Sequence, residues 1–145
     1  MGIGGTAMAA LAGLLVEAGY TVTGSDANIV YPPMSEVLAK INIEPMVGYN
    51  ASNLNPEPDL VIVGNVIRAV YEEAQFLVAS KIPYMSFPSL LGARFIAQSH
   101  ALVAAGTHGK TTTTALLSWL LEAAEKSPGY LIGGAALNFN APAAA

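Results

Sequence analysis

The sequence contains no cysteine, which excludes a disulfide framework and a zinc site built on thiolates. Only 11% of its residues are charged, and the net charge of −4 leaves no basic surface of the kind that binds nucleic acid. No apolar run approaches the roughly 18 residues of a membrane span, and the amino terminus lacks the basic residues of a signal peptide. We therefore expect a cytoplasmic protein with no nucleic-acid partner and no membrane span. Its 53% of hydrophobic residues suffices for a substantial core.

Helical and strand-like patterns alternate along the chain. The apolar spacing predicts helices over residues 6–18, 34–40, 72–80, 89–96 and 111–125. Apolar runs predict strands over residues 21–24, 60–63, 82–85, 101–105 and 130–132. Strands that alternate with helices indicate an α/β fold with a mainly parallel sheet. The tail over residues 141–145 carries no interpretable pattern.

Residues 106–112, Gly-Thr-His-Gly-Lys-Thr-Thr, form the strongest motif. They stand between a predicted strand and a predicted helix, as a phosphate-binding loop does, and glycines there let backbone N–H groups approach phosphate oxygens. Lys110 is expected to reach the β- and γ-phosphates, and the Thr111 hydroxyl to bind Mg²⁺. The match is incomplete, since Ala104 stands where the full pattern has glycine. The motif predicts a site for a nucleoside triphosphate.

A second glycine loop, residues 2–6, precedes the first predicted helix. Asp26 follows about twenty residues later, where dinucleotide-binding folds place an acid that contacts the ribose. Ala7 replaces the third glycine of that fingerprint. Two alternatives stay open: the loop can be a helix-capping turn without a ligand, and Asp26 can be a turn residue that leads into Ala27 and Asn28.

The strand that would feed this first loop is missing from the sequence. Because the first strand is central in a doubly wound sheet, its absence would leave unpaired backbone groups on both sides. We therefore expect the natural protein to have residues before Met1. The sequence also has no Asp or Glu after Lys126, although a triphosphatase site needs an acid beyond the loop to help hold Mg²⁺. We expect the chain to be part of an enzyme and inactive in isolation.

The two loops in this order resemble those of the Mur ligases of bacterial peptidoglycan synthesis. The resemblance rests on residues 2–8, 24–26 and 105–112 and covers nearly the whole chain. It implies a Rossmann-like, parallel-sheet domain that binds a UDP-sugar over residues 1–97. The truncated beginning of a central, P-loop ATP-binding domain would follow over residues 98–145.

Within this family, several segments are similar to the members that add a recycled peptide. These are residues 24–28, 31–35, 64–65, 82–86, 132–134 and 138–139. The resemblance implies an ATP-dependent amide ligase of cell-wall recycling, which joins UDP-N-acetylmuramate to the tripeptide L-alanyl-γ-D-glutamyl-meso-diaminopimelate through an acyl phosphate. The members that add L-alanine are the rival, because they share both loops and usually differ at residues 31–33.

The resemblance also implies a role for each residue of the loops. Lys110 would be the catalytic residue that stabilises the transferring phosphoryl group, and Thr111 would bind Mg²⁺. ATP would also be contacted by Gly106, Thr107, His108, Gly109 and Thr112. The UDP-sugar would be held by Gly4, Gly5, Thr6, Ala7, Met8, Asp26 and Asn65.

Two functions of other classes remain possible on the residues alone. A NAD-dependent oxidoreductase could use the first loop and Asp26, although it leaves residues 106–112 without a role. A nucleotide-binding regulatory module without chemistry of its own is the other. His108 stays open between a site residue and an ordinary loop residue. The sequence does not fix the oligomeric state.

Overall fold

The computed structural model describes residues 1–97, 99–134, 138–139 and 143–144 as alternating helices and strands. The helices are α1 (Thr6–Glu17), α2 (Met34–Lys40), α3 (Glu72–Ala79), α4 (Phe87–Leu91) and α5 (Lys110–Ala123). The strands are β1 (Ser25–Asp26), β2 (Met46–Val47), β3 (Val61–Val63), β4 (Tyr84–Ser86), β5 (Tyr130–Leu131) and β6 (Ala143–Ala144). A 3₁₀ helix, Ala51–Leu54, precedes β3, and a π-helical turn, Gly92–Ile96, follows α4.

The strands form two parallel pairs and one antiparallel pair. Strand β1 pairs with β2, with Ser25 opposite Met46. Strand β3 pairs with β4, with Val61 opposite Tyr84. Strands β5 and β6 run antiparallel. Parallel pairs joined through helices confirm the predicted α/β class.

Residues 1–3 lie between the two parallel pairs and hydrogen-bond to both. The N–H groups of Gly2 and Ile3 donate to the carbonyl of Ser25 at 2.8 and 3.0 Å. On the other side, the Met1 amino group donates to the Ile62 carbonyl at 2.9 Å, and the Gly64 N–H donates to the Met1 carbonyl at 3.1 Å. These bonds put residues 1–3 in the position that a central strand takes in a doubly wound sheet.

Helix ends follow the local signals closely in the first half of the chain. Helix α1 ends one residue short of the predicted position, and the Gly19 N–H closes it on the Val16 carbonyl. Helix α2 has the predicted bounds. Helix α4 begins at Phe87 rather than at Ser89, because the Ser86 side chain caps it by accepting from the Ser89 N–H.

Two of the predicted strands are wrong. Residues 101–105 form no strand: Leu102 is 53% and Val103 80% exposed, and no described strand pairs with this apolar run. Residues 21–24 are not a strand either, since β1 is limited to the two residues that β2 pairs with. Apolar composition predicts a strand only where a partner backbone is available.

The carboxyl-terminal tail contains a strand that no pattern indicated. Ala143 lies in β6 and packs against Ala10, Leu11 and Leu14 of α1. Positions 141, 142 and 145 lie outside the described residues, as does position 98, where the predicted second domain begins. The division at residues 97 and 98 stays a prediction.

Three buried apolar clusters surround the strands, and α1 contributes to two of them. One lies between α1 and α2 and includes Ala9, Ala12 and Leu38. Another joins α1 to α4 and β6. The third lies around α3, β3 and the 3₁₀ helix. Because α1 is packed on two sides, its amino-terminal end is held in a fixed place beside the sheet.

Leu38 is fully buried in the cluster between α1 and α2, so Leu38→Ala should lower the free energy of unfolding. We expect a loss of about 2–5 kcal/mol, from the lost transfer energy and the cavity. Urea denaturation measures it. Leu116→Ala, at a residue 58% exposed on α5, is the control and should change the stability little. Equal losses in the two variants would contradict this account of the core.

Candidate functional site

A pocket of about 630 Å³ opens where the first glycine loop meets the ends of β1 and β3. Every residue predicted to hold the UDP-sugar lines it: Gly4, Gly5, Thr6, Ala7, Met8, Asp26 and Asn65. The loop leads into α1, Asp26 ends β1, and Asn65 stands two residues after β3. The structure thus brings together residues from three separate parts of the sequence at the carboxyl ends of the strands, the usual place for a ligand in α/β sheets.

The amino-terminal end of α1 supplies backbone donors to this pocket. Its N-cap is Gly5, and no side chain caps the helix there. The N–H groups of Thr6, Ala7 and Met8 belong to the first turn, which has no intrahelical acceptors. With the positive end of the helix dipole, they favour an anion such as a phosphate.

Asp26 ties the loop to the end of β1. Its Oδ2 accepts a hydrogen bond from the Gly4 N–H at 2.8 Å, and its Oδ1 accepts one from the Ala27 N–H at 2.8 Å. The Gly4 N–H, at a residue predicted to hold the UDP-sugar, is therefore taken by Asp26 in this structure. Asp26 lines the pocket and also holds the turn into Ala27, while its contact with a ribose stays a prediction.

Gly4 contributes space to the loop. A Cβ atom at this position would lie 2.8 Å from Cγ2 of Val30 and 2.9 Å from Oδ2 of Asp26. Both distances are below normal van der Waals contact. The backbone conformation that favours glycine is found instead at Gly2, with φ of +79°. Close approach is the reason that Gly4 requires glycine.

The outer wall of the pocket is apolar, and none of its residues was predicted as a site residue. Ile29, Tyr31 and Val66 line the pocket and are 63%, 71% and 66% exposed. Val30 and Phe87 complete this wall. Tyr31 begins the Tyr-Pro-Pro segment that carried part of the family resemblance, and this was the only signal that could have found it. Exposed apolar side chains around a polar loop suit a ligand with a flat or apolar part.

Two half-buried tyrosines pack against each other close to Gly2 of the first loop. The Tyr49 ring lies 4.8 Å from the Tyr71 ring, measured between centroids. Burial raises the pKa of Tyr49, and the nearby negative charge of Asp26 acts in the same direction. Burial lowers the pKa of the Met1 amino group, while Glu73 and Asp26 oppose that effect. Burial is the largest cause for both groups, and the negative charges of Asp26 and Glu73 raise the pKa of each.

The second predicted site forms the amino-terminal end of α5. Gly109 is the N-cap, and residues 106–112 are exposed. The Lys110 ammonium donates to the carbonyls of Gly106 at 2.8 Å and Thr107 at 3.2 Å. The His108 Nδ1 lies 3.2 Å from the Thr107 hydroxyl, so this exposed histidine hydrogen-bonds within its own loop. The lysine folds back over the loop and closes it on itself.

The predicted Mg²⁺ ligand, Thr111, lies in the first turn of α5 and faces Gly133 and Gly134. Cβ atoms at Gly133 and Gly134 would each lie 3.5 Å from its side chain. Within the described ranges, no group of three or more His, Asp or Glu side chains could hold a metal ion. A lone hydroxyl fits Mg²⁺ only in company with phosphate oxygens and water, which is how Mg²⁺ is commonly held at nucleotide sites.

The chain matches the family model described as "Mur ligase family, catalytic domain" over residues 1–104. It belongs to the Mur ligase family. This confirms the predicted resemblance, and the residues that line the pocket all fall within the matched range. Among the described residues, no helix is long and apolar enough to span a membrane.

Two curated relatives of this Mur ligase chain are peptide-adding ligases. The Escherichia coli UDP-N-acetylmuramate–L-alanyl-γ-D-glutamyl-meso-2,6-diaminoheptandioate ligase is 47% identical over 99% of the chain and 31% of the relative. The Haemophilus influenzae ligase of the same name is 42% identical over 96% of the chain and 30% of the relative. An Agathobacter rectalis UDP-N-acetylmuramate–L-alanine ligase is 36% identical over 92% of the chain. The chain spans about a third of the length of these relatives.

Solved structures give the same family. The Neisseria meningitides ligase of the peptide-adding type superposes with a TM-score of 0.92 at 40% identity, covering 98% of this chain and 44% of that one. The Psychrobacter arcticus murein peptide ligase has a TM-score of 0.90 at 39% identity, covering 99% of this chain and 32% of that one. The Thermotoga maritima UDP-N-acetylmuramate-alanine ligase has a TM-score of 0.88 at 29% identity. The fold is therefore common to both branches.

Asp26→Ala should free the first loop of the Mur ligase chain from β1. The Gly4 amide should then exchange with solvent at least about tenfold faster, because a hydrogen bond to a charged group contributes about 1.5–3 kcal/mol. Amide exchange followed by NMR measures this rate. Asp59→Ala, at an exposed aspartate before β3, is the control. An unchanged Gly4 exchange rate in Asp26→Ala would show that the carboxylate does not hold the loop.

Proposed function

We propose that this chain forms the nucleotide-sugar site and the start of the ATP site of a ligase that joins UDP-N-acetylmuramate to L-alanyl-γ-D-glutamyl-meso-diaminopimelate. The observation that carries the proposal is the pocket in which the first glycine loop, Asp26 and Asn65 meet. The reaction follows from the relatives, because those at 47% and 42% identity are named as peptide-adding ligases, whereas the L-alanine ligases are at 36% and 34%.

The diphosphate of the nucleotide sugar would lie at the amino-terminal end of α1. The first-turn N–H groups of Thr6, Ala7 and Met8 would donate to its oxygens, and the helix dipole would favour its charge. Gly4 and Gly5 would keep the backbone close enough for this contact. Asp26 would contact the nucleoside from the end of β1, and Asn65 would contact it from the segment after β3.

The second loop would take the triphosphate of ATP, and ATP would supply the phosphoryl group that activates the muramate carboxylate. Lys110 would leave the carbonyls of Gly106 and Thr107 and neutralise charge on the transferring group. Thr111 would provide a hydroxyl to Mg²⁺. His108, Gly109 and Thr112 would complete the cradle, together with Gly106 and Thr107.

We assign residues 1–97 to the UDP-sugar-binding domain and residues 98–145 to the beginning of the ATP-binding domain. A reaction that consumes ATP and a nucleotide sugar belongs in the cytoplasm, in the recycling of cell-wall peptides. The L-alanine-adding reaction is the second candidate, because a relative of that name is 36% identical and a solved structure of that name has the same fold. Family membership leaves the oxidoreductase without support.

A hybrid enzyme tests the proposed reaction. The part of the Escherichia coli relative that matches this chain, 31% of its length, is replaced by this chain. Phosphate release by the hybrid is then measured with UDP-N-acetylmuramate and tripeptide. We expect turnover that falls about 10²–10³-fold in Lys110→Ala, the usual cost of losing one group that stabilises developing charge. Lys126→Ala, at an exposed lysine beyond α5, is the control. A hybrid on the Agathobacter rectalis L-alanine ligase is the comparison, and activity there alone would favour the second candidate.

Gly4→Ala should weaken UDP-N-acetylmuramate binding by the chain at least about tenfold, or about 1.4 kcal/mol. The added Cβ would displace Val30 and Asp26 and move the loop away from the diphosphate. Isothermal titration calorimetry measures both this ligand and ATP, whose affinity should not change. Gly13→Ala is the matched control, because a Cβ there meets nothing within 4 Å. Equal affinity in the two variants would remove the first loop from the site.

A further inference from the structure

A buried glutamate outside the pocket joins the elements that shape it. Glu73, in the first turn of α3, is 2% exposed. Its Oε1 accepts a hydrogen bond from the Ser25 hydroxyl at 2.9 Å, and its Oε2 accepts one from the Asn53 side-chain amide at 2.9 Å. Its own N–H donates to the Tyr49 carbonyl at 3.1 Å. Neither glycine loop includes this residue, and the proposed chemistry does not use it.

Ser25 connects the glutamate to the first loop. The Ser25 carbonyl accepts the N–H groups of Gly2 and Ile3. The next residue, Asp26, accepts the N–H of Gly4. The Glu73 carboxylate is thus hydrogen-bonded to Ser25, the residue of β1 whose carbonyl accepts the N–H groups of Gly2 and Ile3. Ser25 is itself only 1% exposed.

The second arm of the network fixes the segment after β2. The Asn53 amide donates to the Gly48 carbonyl at 2.8 Å as well as to Glu73. Gly48 in turn donates its N–H to the Asp26 carbonyl at 2.8 Å. Both arms therefore converge on the two residues of β1, Ser25 and Asp26, of which Asp26 lines the pocket.

A buried carboxylate is a costly way to gain stability. Its desolvation offsets much of what its hydrogen bonds contribute, and apolar residues of similar volume often do as well. A buried polar group whose hydrogen bonds are all made instead holds its neighbours in a single geometry, because each bond has a preferred direction and length. Glu73 lies in the first turn of α3, where the helix dipole favours a negative charge.

We propose that Glu73 is a positioning residue of the nucleotide-sugar pocket, which acts through Ser25 and Asn53 to hold β1 and the first loop in the binding geometry. This rests on the proposed function for its ligand. Glu73 touches no reacting group. It holds the backbone from which Asp26 and the loop donors reach the ligand.

Titration of the purified chain with UDP-N-acetylmuramate and, separately, with ATP tests the proposal. Glu73→Ala should weaken the UDP-N-acetylmuramate affinity at least about tenfold and leave the ATP affinity unchanged, because two charge-assisted hydrogen bonds are lost on one side of the molecule only. Glu73→Gln should restore most of the affinity, since its amide keeps the shape and can bond both Ser25 and Asn53. Glu72→Ala, on the exposed face of the same turn, is the matched control.

Ser25→Ala keeps the test decisive if Glu73→Ala does not fold. It removes one hydroxyl and leaves the backbone carbonyl, so it should weaken the same ligand by about threefold or more with ATP again unchanged. A residue with a merely structural role would lower the melting temperature in these variants without separating the two ligands. Wild-type affinity for UDP-N-acetylmuramate in folded Glu73→Ala or Ser25→Ala would overturn the proposal.

A wild-type chain that binds no UDP-N-acetylmuramate would count against the proposed function, and the coupling would then be judged from the amide spectrum. Movement of the Gly4 and Asp26 signals in Ser25→Ala, but not in Glu72→Ala, supports the link between Glu73 and the loop. Unmoved signals at both positions overturn it.

Discussion

The backbone hydrogen bonds of residues 1–3 are the constraint on which the rest of the structure depends. They join the β1–β2 pair to the β3–β4 pair, which have no strand pairing with one another among the described residues. Ser25 and Ile62 are hydrogen-bonded to the same short segment, residues 1–3. Asp26 and Asn65, which follow them in the chain, therefore lie at the same edge of the strands. The chain then turns directly into α1, whose first turn lies over that edge. The first loop with the amino-terminal end of α1, the end of β1 and the segment after β3 thereby surround one pocket, although these three parts are far apart in sequence.

The sequence predicted those parts of this arrangement that depend on residues within or next to the same segment, and missed those that depend on distant residues. Glycine at position 19 and the prolines before α2 act on adjacent residues, and the helix ends there agreed with prediction to within one residue. The polar part of the pocket was predicted because its glycine loop, Asp26 and Asn65 carry local patterns that resemble a known family, whereas its apolar wall was missed. The run over residues 101–105 and the strand β6 depend on which backbone lies beside them, and no pattern within the segment contains that information. Glu73 was missed for the same reason, since a helix sequence does not show that a charged side chain will meet Ser25 and Asn53.

In the proposed function, the two loops would meet the charge of a phosphate in different ways. Among the described residues that line the first pocket there is no lysine, arginine or histidine, so backbone N–H groups, the helix dipole and neutral side chains would supply the attraction. The second loop has Lys110, which lies on its own carbonyls and must move to meet a ligand. The first site is built in advance, while the second carries a mobile charge. This suits the proposed reaction, in which the UDP diphosphate is only held, whereas ATP gives up a phosphoryl group with developing charge.

The place of Asp26 follows from this division of charge. A free carboxylate beside a diphosphate would repel it, and the chain as a whole already carries a net charge of −4. Both oxygens of Asp26 instead accept backbone N–H groups, from Gly4 and Ala27, which spreads its negative charge into the loop. A neutral side chain in this position would remove the repulsion and also the bond that brings the loop to β1. In the proposed function, the carboxylate would therefore be tolerated near an anionic ligand because it holds the loop that would bind this ligand.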